Sequence, residues 1–109
     1  MNSFTVEPVT LQEAYDYLGI DEPDPTVERN VTRTIKTADK ILSGSIGKDY
    51  PRDDPRATEI ALIIISDLYD NRGLTASLSG NTRKLVNDMS LQLRLELRQQ
   101  REVLNEYNH

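Results

Sequence analysis

The residues of this chain whose types and spacing could do chemistry are a Gly44-Ser45-Ile46-Gly47-Lys48 run and two acidic clusters, Asp21, Glu22 and Asp24, then Asp49, Asp53 and Asp54. A phosphate-binding loop needs a Gly five residues before its Gly-Lys pair and a Ser or Thr after it, to turn backbone N–H groups onto phosphates and to hold magnesium. Those places are held by Leu42 and Asp49, and the segment before them has helical rather than strand periodicity, so nucleotide chemistry is not supported. Calcium loops need regularly spaced acids, a central Gly and a terminal Glu, and neither cluster has that order. Asp24 and Asp54 each precede a proline, which explains them as helix caps. His109 is the single histidine and cysteine is absent, which leaves nothing for a His-based triad or a thiolate metal centre. A pair of carboxylates could serve a hydrolase, but no nucleophile, base and orienting group can be named together. No catalytic, cofactor or metal residues are assigned.

Charge is distributed unevenly. Net charge is −5, yet residues 1–28 hold seven acids (Glu7, Glu13, Asp16, Asp21, Glu22, Asp24, Glu28) and no Lys or Arg, and the rest is close to balanced. Such a front is either a solvated surface or a functional acidic one, and it does not resemble the basic stripe of a protein that grips DNA. The basic residues Arg29, Arg33, Lys36 and Lys40 recur at helical spacing and form one face. That face is solvated, or contacts DNA, or forms a salt-bridged seam to an acidic neighbouring subunit.

The elements that must position these groups are helices. Met1 to Val9 reads as an extended arm. Thr10 and Glu13 form a capping box that starts a first helix, with Leu11, Ala14, Tyr17 and Leu18 expected on its inner face and Gly19 as its stop. After the Asp21–Pro25 connector, Val27, Val31, Thr34, Ile35, Ala38, Ile41 and Leu42 predict a second helix ending near Ser43, with Gly44 as its stop. A loop over 44–54 leads to a third, central helix with Ala57, Ile60, Ala61, Ile64 and Leu68 inward, widened by Ile63 and Ile65 and ended by Gly73.

A second loop, Leu74 to Asn81, precedes a long fourth helix. Its stripe is Leu85, Met89, Leu93, Leu97 and Leu104, extended by Val86 and Tyr107. Alternation of Leu91, Leu93, Leu95 and Leu97 is also compatible with a strand, but Gln, Arg, Glu and Leu favour helix and no strand partner is evident. In a helix, Leu91 and Leu95 lie roughly opposite the stripe, giving two apolar faces. The expectation is therefore an all-α fold, a small bundle of about four helices with an extended arm and a long last helix. It forms one domain over 1–109, with a core near 9–98 and an extension over 99–109. No run approaches the roughly 18 apolar residues of a membrane span, and no basic-then-apolar leader opens the chain, so it is read as soluble and not exported.

The pattern Leu11-x-x-Ala14-x-x-Tyr17-Leu18-x-Ile20-Asp21, the acidic turn after it, the run Leu68-Tyr69-Asp70-Asn71-Arg72, and the segment from Val86 to the Leu93-Arg94 pair occur in an order and spacing that resemble the head-tail connector (neck adaptor, DNA-packaging) proteins of tailed bacteriophages. The likeness covers roughly Val9 to Arg98; the extension past Arg94 and the tip from Gly44 to Pro51 depart from it. The resemblance implies a structural virion protein at the head–tail interface, assembled in the host cytoplasm, that performs no reaction and needs no cofactor. Its partners would be copies of itself in a ring, the portal protein, a head-completion or stopper protein, and double-stranded DNA passing through without sequence-specific binding. Under that reading Leu91, Leu95, Arg94 and Arg98 form the subunit interface, and Leu74, Thr75, Ser77 and Leu78 form a mobile loop that contacts the portal or neck. The alternative is a small helical DNA-binding or partner-binding regulatory module.

Overall fold

The structure, a computed structural model, describes residues 7–70 and 78–107, by backbone alone for 105–107. Those residues form an all-α bundle in the order α1 (Leu11–Leu18), α2 (Pro25–Ser45), α3 (Pro55–Asp70) and α4 (Gly80–Tyr107). Each helix start is set by local chemistry. At α1 the Glu13 N–H donates to the Thr10 hydroxyl (3.1 Å) and the Thr10 N–H to the Glu13 carboxylate (2.8 Å), and Gly19 closes the helix at φ 74°, where a side chain would be strained. At α2 the Asp24 carboxylate accepts from Val27 N–H (2.8 Å), with Pro25 in the first turn. At α3 the Asp54 carboxylate accepts from Arg56 N–H (2.9 Å).

The core is centred on α3, where Ile60, Ala61, Ile64 and Ile65 are fully enclosed. Burying an Ile side chain contributes about 1.5–3 kcal/mol, so this run is a main source of stability. α3 packs against each of the other helices, whereas α1 and α4 do not touch each other. The body is a slab of 54 × 39 × 19 Å. Val9 and Pro8 are buried beside the core, and the Thr58 hydroxyl donates to the Pro8 carbonyl at 2.8 Å, which ties the end of the arm to α3.

Four expectations are corrected. Tyr15, not Tyr17, is buried on α1: position i+4 from Leu11 stays near the inward direction, while i+6 lies about 120° away, and Tyr17 is 52% exposed. α2 continues through Gly44 to Ser45, with Ile46 donating its N–H to Leu42 O (2.8 Å), and the turn falls instead at Gly47, φ 147°. Burial of Ile46 outweighs the roughly 1 kcal/mol cost of a helical glycine. The fourth helix begins at Gly80, inside the expected loop, because Ser79 caps it: its hydroxyl accepts from Thr82 N–H (3.4 Å) while its carbonyl takes the first helical bond, from Arg83 N–H (2.9 Å). On that helix the covered residues are Val86, Ser90 and Leu93, with Met89 and Leu97 half-buried, whereas Leu85 and Leu104 are exposed. Leu85 is rotated about 100° from Val86, which takes the inward place. Leu104 keeps the inward register, but the helix has already run past the body. The expected stop at Gly73 lies outside the described residues, as does the arm before Glu7.

Among the described residues, no helix is long and apolar enough to cross a membrane.

Candidate functional site

The site is built on the outer side of α4. Leu91 and Leu95 lie one turn apart and remain 43% and 49% exposed, as expected for positions roughly opposite the buried Leu93. Arg94 and Arg98 border them, also one turn apart and exposed. The four residues expected at a subunit interface therefore share one surface of α4. Beyond Leu97 every described side chain is exposed, although the helix continues for ten more residues, a length of about 15 Å.

α4 crosses the end of α2 at Arg94. Its guanidinium donates to the Ser45 carbonyl at 3.2 Å. The last turn of α2 has no basic residue of its own, so Arg94 supplies the cation that its free carbonyls and the negative end of its dipole favour. The crossing leaves a cleft of about 320 Å³ between the turn Ile46–Tyr50 and α4, lined by Lys48, Arg94, Arg98 and Arg101 with Asp49 as its single acid. Arg94, Arg98 and Arg101 sit at i, i+4 and i+7, a spacing visible in the sequence. Lys48 joins them only through the chain reversal, and sequence reasoning missed the cleft for that reason.

One wall of the cleft is held rigid by a polar cluster. Tyr50, 4% exposed, donates its hydroxyl to Asp39 at 2.5 Å, and Arg52 Nε donates to the same carboxylate oxygen at 2.9 Å. The Arg52 guanidinium also lies over the Tyr50 ring, 4.3 Å from its centre, and reaches the Ser43 hydroxyl at 3.3 Å. Burial, reinforced by the bond to Asp39, pushes the Tyr50 phenol well above the ordinary tyrosine range. No spacing rule links Asp39, Tyr50 and Arg52, so the cluster had no signature before folding.

The row Arg29, Arg33, Lys36 and Lys40 is fully on the outside of α2, opposite Val31, Ile35, Ala38 and Leu42. Arg29, Arg33 and Lys36 line a shallow groove that also includes Glu28, and Lys40 lies beyond it. Of the loop expected to contact a portal, Leu74, Thr75 and Ser77 lie outside the described residues, and Leu78 is half-buried against the core. No group of three or more His, Cys, Asp or Glu suited to a metal ion occurs among the described residues. No family model, curated protein or solved structure matches the chain.

Proposed function

We propose that this chain is a structural head-tail connector of a tailed bacteriophage, non-enzymatic, that assembles with copies of itself into a ring under the portal, extends the DNA channel and docks the next neck or stopper protein. The observation that carries the proposal is the outer side of α4, where Leu91 and Leu95 present apolar surface on a helix that overruns its own body. A ring requires a different patch on each side of the protomer, and an uncovered side of a long helix is suited to be one of them. The order of the four helices and the residues Leu11, Ala14, Leu18, Leu68 and Tyr69 support the same reading through their likeness to that family. A net charge of −5 favours passage of DNA without adhesion. Under this proposal the protein is placed in the virion, after assembly in the host cytoplasm. Electron microscopy of the purified chain mixed with portal rings tests it: an added layer of density coaxial with the portal supports it, and bare portals at saturating chain concentration refute it.

The second reading, a small DNA-binding or partner-binding module, is favoured by the exposed row Arg29, Arg33, Lys36 and Lys40. A gel shift with short duplex DNA that weakens steeply with salt supports this reading.

A further inference from the structure

We infer that the basic cleft between Ile46–Tyr50 and α4 is the seat for the acidic α1–α2 connector of a second copy of this chain. The inference deepens the connector reading and rests on it. Arg98 and Arg101 are exposed in the cleft and take part in no ion pair among the described residues, and Lys48 projects beside them from the turn. Four bases face one lining acid, Asp49, with Glu102 one turn beyond Arg98, and this excess of positive charge is stabilised by an incoming anion.

The matching acids are on the same chain but out of its own reach. Asp21 and Glu22 are exposed, lie in a stretch of 28 residues with no Lys or Arg, and are likewise without an ion pair. They precede the first turn of α2, whereas the cleft is at its last turn, so the 21 residues of that helix hold the two charges about 30 Å apart. α1 and α4 make no contact, so the acidic flank cannot fold over onto the basic one. Opposite charges at opposite ends of a rigid helix can be paired only between molecules, head to tail, which is the heterologous geometry that closes into rings. The α2 row is a weaker seat, because Glu28 lies within its groove and the acidic connector adjoins it in the same chain. Leu91 and Leu95 border the arginines and supply the apolar part of the same contact.

Sedimentation of the purified full chain at low and high salt tests the pairing. At low salt the wild type is expected to self-associate and Arg98→Glu with Arg101→Glu to remain monomeric, at least tenfold weaker in association, with unchanged helical circular dichroism. Adding Asp21→Lys with Glu22→Lys to that double variant reverses both partners and is expected to restore assembly. Failure to restore it overturns the pairing. So does a wild type that stays monomeric at every concentration and salt. Assembly that survives the Arg98→Glu, Arg101→Glu change also overturns it, yet leaves the connector reading to be judged by portal decoration. Retained assembly with lost duplex DNA binding in that variant assigns the cleft to nucleic acid instead.

Discussion

Asp67 and Ser79 are joined twice. The carboxylate on α3 accepts the Ser79 N–H at 2.9 Å and its hydroxyl at 3.0 Å, and also takes the Thr82 hydroxyl at 3.1 Å. One side chain thus fixes where α4 starts and aligns it antiparallel to α3. Its position decides which face of α4 is buried and, through 28 residues of helix, where Arg94 to Arg101 arrive. Removing it by Asp67→Ala is expected to cost about 1–3 kcal/mol, because the first-turn donors of α4 lose a charged acceptor. Urea unfolding measures this, and an unchanged midpoint would refute the role.

The Tyr50–Asp39 bond predicts an alkaline weakness. A phenol whose folded pKa is raised contributes stability that is fully present below the unfolded tyrosine value of about 10 and is lost as pH rises beyond it. Tyr50→Phe should therefore be less stable than wild type by roughly 1 kcal/mol at pH 7, with the gap narrowing above about pH 10. Unfolding midpoints from pH 7 to 11 check it; a constant gap contradicts it.

Asp54 acts at the other end of the pH scale. Its hydrogen bonds from the Arg56 side chain hold the carboxyl below the usual range, partly opposed by desolvation. Its contribution is therefore present above the unfolded value of about 3.9 and is lost as pH falls through the lower folded value. Asp54→Asn is expected to flatten the acid limb of the stability profile, and a profile parallel to wild type below pH 5 counts against it.

Leu91→Asp with Leu95→Asp is expected to leave a folded monomer and abolish ring formation. Both side chains are exposed, so their replacement removes little internal packing, within about 0.5 kcal/mol per site. Analytical ultracentrifugation with circular dichroism separates the outcomes, and rings formed by the variant would place the seam elsewhere.

Deleting residues 99–109 should leave the fold nearly unchanged, because the described side chains from Arg98 onward are exposed and none belongs to the core. A thermal midpoint within a few degrees of wild type is expected. A large drop would mean that the last turns support the body.

The Thr10–Glu13 box, the Asp24-Pro25 and Asp54-Pro55 starts and the isoleucine-rich α3 were legible in the sequence, since each acts over one or two turns. The exposed pair Leu91 and Leu95 was legible as well, from helical period alone. Arg94, Arg98 and Arg101 could be seen to share a face, but not what the face would meet.

Tertiary structure decided the rest. Whether Gly44 stops α2 depended on whether Ile46 found cover, and it did; whether Leu104 is buried depended on how far the body extends, and it falls short. Lys48 joins the arginines, and Asp39 meets Tyr50 and Arg52, only because the chain reverses after α2 and α4 crosses its end. The sequence by itself determined periodicities, caps and charge blocks, because local hydrogen bonding and helical geometry act between near neighbours. Which surfaces are covered and which charges converge are properties of helices packed together, and those depend on partners distant along the chain.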